Sequence, residues 1–144
     1  MKRLMSTSND VALTILRVVL GVVFFAHGAQ KMLGWFGGFG FHGTMGAFTH
    51  MGMPAPMAFL IICTEFFGGL GLIVGLLTRI ASLGVAGLMV GAIFMVHLAN
   101  GFFMNWMGTQ KGEGFEFHLL ALAMAGALLL RGAGAFSLDR TLSK

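Results

Sequence analysis

Seven side chains able to do acid–base or charge chemistry lie in or beside apolar runs: Arg17, His27, Lys31, Glu65, His97, Glu116 and His118. An ionisable group at membrane depth costs about 2.5–3.5 kcal/mol on insertion scales, so it faces protein or water. Glu65 is the hardest to dismiss as decoration. It must be ion-paired, with Lys31 or Arg17 as partner, or carry a proton. Imidazoles exchange protons near neutral pH. A carboxylate can relay them, and an ammonium stabilises a developing anion. The expectation is a polar pocket with Glu65 as floor. Glu65, His27 and Lys31 are its catalytic candidates. Arg17, His97, Glu116 and His118 are its ligand-binding candidates.

The elements that position these groups follow from composition. Of 144 residues, 57% are hydrophobic and 10% charged. Ordinary soluble domains carry about 25% charged residues, and so small a soluble fold could not hide that much apolar surface. Lipid is therefore the solvent. A bilayer core about 30 Å thick needs roughly 20 apolar helical residues. Four segments fit: about 11–33, 57–77, 80–102 and 113–130. The fold class expected is an all-α, four-transmembrane-helix bundle in a single domain. The last segment spans only if Glu116 and His118 lie near one surface or face protein. The second and third helices are joined by only Thr78 and Arg79.

Between the first two helices lies a Gly-rich stretch with Trp35, Phe36, Phe39, Phe41 and Phe48. It is too irregular to sit in hydrocarbon. It should form an outer Gly/Phe-rich interfacial loop, with a short helix around 44–50 and with His42 and His50 at the interface. Lysine and arginine divide unevenly. Lys2, Arg3, Arg17, Arg79, Arg131, Arg140 and Lys144 fall on one side, Lys31 and Lys111 on the other. That bias puts both termini in the cytoplasm and the protein in the cell's inner (plasma) membrane. The basic residues are scattered, with no nucleic-acid footprint.

Depth and helical angle bring the polar groups together. At about 100° per residue, Arg17, His27 and Lys31 fall within an arc of about 80°. Glu65 shares a face with Gly68, Gly69 and Leu72. Gly84, Gly87 and Gly91 form a stripe for close helix approach. Plainer readings stand beside these. Arg17 could be a snorkelling anchor, and Lys31, His97 and His118 could meet headgroups. A metal site from Glu113, Glu116 and His118 lacks tight ligand spacing. A bis-His haem on His27 and His97 would need ligands at matched depth. Neither metal nor haem is supported. The single cysteine, Cys63, permits no internal disulfide.

The stretches Leu16–Arg17 to Gly21, His27-Gly28-Ala29-Gln30-Lys31, Gly52-Met53-Pro54, Glu65-Phe66-Phe67-Gly68-Gly69 and Gly75-Leu76-Leu77-Thr78-Arg79 occur in this order. Gly132-Ala133-Gly134-Ala135-Phe136-Ser137-Leu138-Asp139 closes the series. The chain resembles DoxX-type membrane proteins over nearly its whole length. The resemblance implies a four-helix membrane bundle. It also implies kinship with the membrane subunit of thiosulfate:quinone oxidoreductase and with partners of other redox enzymes. Arg17, His27, Lys31 and Glu65 are the matching polar positions. Ala133 stands where a proline is usual, and the absence of paired cysteines argues against a thiol-redox role. The function expected is a quinone-interacting membrane subunit or partner of an oxidoreductase. Its partners would be the lipid bilayer and either further copies of itself or a soluble redox protein. Alternatives are a non-catalytic anchor for a soluble enzyme and a small-molecule or proton carrier.

Overall fold

The computed structural model describes residues 5–143, so Lys2, Arg3 and Lys144 of the charge count lie outside the described residues. These residues form helices and no strands. Helix α1 spans Val11–Leu33, as the sequence predicts. Asp10 starts it by accepting from the amides of Ala12 (2.8 Å) and Leu13 (3.4 Å), which satisfies two amides orphaned at a helix start. Gly34 ends it in the left-handed region at φ 76°, where glycine carries no Cβ penalty. Helix α2 covers Gly40–His50 inside the Gly-rich stretch, and helix α3 runs Ala55–Val74. Helix α4 runs Thr78–Asn100, α5 Glu116–Arg131 and the short α6 Leu138–Leu142. Helices α1, α3 and α4 are long and apolar enough to cross a membrane. Helix α5 has 16 residues and rises about 24 Å, short of a bilayer core about 30 Å thick.

The connection between α3 and α4 differs from expectation. Helix α3 ends at Gly75, in the left-handed region at φ 72°. The connection to α4 is therefore Gly75-Leu76-Leu77, and Thr78 already opens the next helix. The cause lies far along the chain. The buried Asp139 carboxylate accepts from the amides of Leu77 (2.7 Å) and Thr78 (2.8 Å). A residue of the C-terminal segment thus caps a membrane helix in trans. Asp139→Asn is expected to weaken this cap by about 1–2 kcal/mol, read as a lower melting temperature in detergent.

Backbones, not side chains, set the α1–α3 seam. A Cβ at Gly28 would sit 2.3 Å from the Phe66 amide nitrogen. One at Gly69 would sit 2.4 Å from that of Phe25. Such proximity needs glycine and is how membrane helices gain packing energy without a hydrophobic driving force. Leu13, Leu20, Phe24, Leu72, Val85, Met89, Ala121, Ala125 and Leu128 fill the core among α1, α3, α4 and α5. The stripe expected on α4 behaves otherwise. A Cβ at Gly84 would meet Thr64 Cγ2 at 2.8 Å, but Gly87 and Gly91 have nothing within 4 Å. Helices α3 and α4 meet at Thr64 and Gly84 and then part.

The closing segment 132–139 is folded into the bundle. Thr14 Oγ1 donates to the Ala135 carbonyl (2.6 Å), and the Gly134 amide donates to Thr7 Oγ1 (2.6 Å). Arg79 donates to the carbonyls of Leu129, Leu130 (3.1 Å) and Ser6 (3.2 Å). The start of α1, the α3–α4 turn, the end of α5 and the closing segment therefore share one end of the molecule. The Gly-rich stretch and the 101–115 loop lie at the other.

Candidate functional site

Glu65 sits in a π-helical turn, Thr64–Gly68, in the middle of α3. His97 closes a second one, Ile93–His97, in α4. A π turn inserts one residue into the helical ladder and re-aims the side chains around it; such turns are rare and recur at functional sites. Nothing in the residue pattern announced them. Both wide turns line one cavity of about 370 Å³.

The cavity wall draws on α1, α3, α4, the 101–115 loop and α5. Phe24, Met89, Ala92 and Phe117 supply its apolar part, and His27, Glu65, His97, Glu113 and His118 its polar part. Lys31 Nζ donates to Glu65 Oε2 at 2.5 Å, the ion pair foreseen as one of two options. The two side chains are 22% and 12% exposed. In so screened a place a charge-assisted bond is short and strong. His97 and His118 pack ring against ring at a tilt of 42°, with centroids 4.1 Å apart. His97 Nδ1 lies 2.8 Å from the Glu113 carbonyl oxygen. His118 is buried, and its Nδ1 has no hydrogen-bond partner among the described residues. His27 is exposed and lies at the rim, where it also borders a recess with Val23, Gln30 and Phe36.

Three expected members lie outside the cavity lining: Lys31, which touches it only through its bond to Glu65, Arg17 and Glu116. Arg17 is 1% exposed and does not line the cavity. Its Nε donates to the Ala133 carbonyl (3.0 Å). Its terminal nitrogens donate to the carbonyls of Leu72, Ile73 (2.7 Å) and Phe136 (3.1 Å). It is neither a pocket residue nor a snorkelling anchor, because a guanidinium's fan of donors lets it join three segments at once. Glu116 is engaged by the loop: its Oε1 accepts from the Met104 amide (2.8 Å) and from Trp106 Nε1 (3.3 Å). Glu113 Oε2 likewise accepts from the Asn105 amide at 2.6 Å. The carboxylates considered for a metal thus hold the loop, and among the described residues no three His, Cys, Asp or Glu are grouped to hold a metal ion.

Sequence reasoning missed Phe24, Met89, Met104 and Phe117 as lining residues. Their types say only that they are apolar, and the π turns that aim their neighbours have no signature. Helix α2 lies beside the site. Lys31 shares a recess of about 350 Å³ with Phe39, Thr44 and Phe48 of the Gly-rich stretch.

Comparison with known proteins agrees with a membrane protein. A Bacillus subtilis (strain 168) protein named "Putative oxidoreductase CatD" is 34% identical over 135 residues, covering 94% of this chain and 90% of its own. The Escherichia coli (strain K12) "Inner membrane protein YqjF" is 31% identical over 143 residues, covering 97% of this chain and 98% of its own. No solved structure gives a match. The DoxX family model matches residues 12–98, and with these relatives it establishes that the chain is a membrane protein belonging to the DoxX family.

Proposed function

We propose that this DoxX-family protein is the quinone-interacting membrane subunit of an oxidoreductase, with the quinone head group in the 370 Å³ cavity. The observation that carries the reading is the make-up of that wall: imidazoles and a carboxylate from separate helices beside an apolar, partly aromatic lining. The unpartnered His118 Nδ1 fits a ligand carbonyl or hydroxyl, because buried polar atoms otherwise find partners. The name of the B. subtilis relative adds weight to a redox role, and that of the E. coli relative to the inner membrane.

In this reading Glu65 and the imidazoles hold and move protons at the two quinone oxygens, and Lys31 holds the Glu65 carboxylate in place. Quinone reduction takes two electrons and two protons; oxidation of the quinol returns them. The chain has no paired cysteines, so a soluble protein carrying a redox cofactor supplies or accepts the electrons. Helix α5 is the fourth span, shortened because Glu116 and His118 face protein. The charge bias places both termini in the cytoplasm. The chain is a single domain, alone or in homo-oligomers.

The anchor reading draws on a different observation, the close Lys31–Glu65 pair, which could serve only to hold α1 to α3. Quinone binding by the purified protein separates the two. Binding is expected, with Glu65→Gln and His27→Leu each weakening it about tenfold, or roughly 1.4 kcal/mol. Absence of binding by the wild-type protein would leave the anchor reading.

A further inference from the structure

A second cavity, of about 230 Å³, opens between α3 and α4 and meets the first at Glu65, Met89 and Ala92, residues that line both. Its walls are Met53, Met57 and Ile61 on the α3 side, and Gly87, Gly91 and Met95 on α4. It exists because the two helices touch at Thr64 and Gly84 and part beyond, leaving Gly87 and Gly91 with open space. Met57, Gly87 and Met95 are exposed on the bundle surface. Both flanking helices are membrane spans by length and composition, so the mouth of this groove faces acyl chains.

We infer that this groove holds the hydrocarbon tail of the ligand, and that the substrate class is a lipid-borne quinone with a long tail, taken up sideways from the bilayer. The inference rests on the quinone reading above and adds where the tail lies and how the ligand arrives. The groove is apolar along its length and ends at one carboxylate, which is the polarity profile of a single-tailed amphiphile with a polar head. Methionine suits the tail, since its unbranched, polarisable side chain adapts to a flexible occupant. Continuity settles the choice of occupant. The apolar groove opens into the polar cavity at Glu65, so one molecule can fill both at once. A phospholipid would place a charged phosphate against the Glu65 carboxylate and two chains in a slot of this size.

The test fills the groove without touching the head-group cavity. Leucine at Gly87 or Gly91 meets no atom with its Cβ, so Gly87→Leu and Gly91→Leu are expected to fold. Gly126→Leu is the control, because Gly126 is equally open but lies on α5, outside the groove. Two probes are used in detergent micelles, a benzoquinone with a decyl tail and the same ring without one. Wild-type protein is expected to prefer the tailed probe at least tenfold. Gly91→Leu and Gly87→Leu are expected to abolish that preference, leave the tail-less ring bound as in wild type, and differ from Gly126→Leu. Equal binding of both probes by the wild type would overturn the inference and leave the quinone reading standing. So would tail preference surviving in both groove variants. Binding of neither probe would overturn both readings.

Discussion

Arg17→Met is expected to destabilise the protein more than any other single change, by about 3–5 kcal/mol. The guanidinium is 1% exposed and donates to four carbonyls, those of Leu72, Ile73, Ala133 and Phe136. Removing it strands those buried acceptors, at about 1–3 kcal/mol for each that stays unsatisfied. Asp139 adds an attractive charge. The surroundings are built around this group. A Cβ at Gly75 would lie 2.9 Å from Arg17 Cζ and 2.5 Å from Ser137 Cβ. Phe136, 81% exposed, takes φ 46° and presents its carbonyl to the guanidinium. A left-handed non-glycine residue costs about 1–2 kcal/mol, and the bond to Arg17 offsets it. Arg17→Lys keeps the charge but loses the planar fork, and should fall between wild type and methionine. Thermal unfolding in detergent, with size-exclusion profiles as a check on aggregation, measures the series. A methionine variant melting within a degree or two of wild type would show that the closing segment is held by other means.

The second large effect concerns Lys31 and Glu65. Either neutralisation alone, Lys31→Met or Glu65→Gln, is expected to destabilise more than the double variant does. Each single change leaves one ion screened from water and unpaired, whereas the double change removes both charges. The coupling should reach about 1–3 kcal/mol, the range for residues in direct contact. Because the side chains are 22% and 12% exposed, added salt should erode it little. Strictly additive single effects would mean that the contact seen here does not persist in solution. Under the quinone reading, the double variant regains stability but not quinone binding. A purely structural pair has no reason to separate those two measurements.

How much of this could be read from the residues depends on the range of the interactions. The bounds of helix α1 were legible, because the apolar run over 11–33 is a local signal. The Lys31–Glu65 contact was legible in part, since a carboxylate deep in an apolar helix demands a partner and few cations were within reach. The DoxX resemblance, resting on ordered short motifs, agrees with the family match. The role of Arg17 was not legible. Position and helical angle put it on the same arc as His27 and Lys31, but its partners are carbonyls of the distant residues 72, 73, 133 and 136, and carbonyls occur in every residue. The same applies to Asp139, which caps a helix 61 residues earlier in the chain. Gly84, Gly87 and Gly91 look alike as a stripe, yet only Gly84 meets a neighbouring helix.

The sequence by itself determined that the chain lives in lipid and roughly where its long helices run, because hydrophobicity acts over a few residues. It also determined that Glu65 must be compensated, since burying an ion is costly whatever the fold. Only the tertiary structure decided which polar groups share a cavity, that two π turns aim Glu65 and His97, that Glu116 braces a loop, and that an apolar groove between α3 and α4 meets the cavity at Glu65. Those outcomes depend on how helices diverge and on backbone partners far away in the chain, and side-chain type does not encode either one locally.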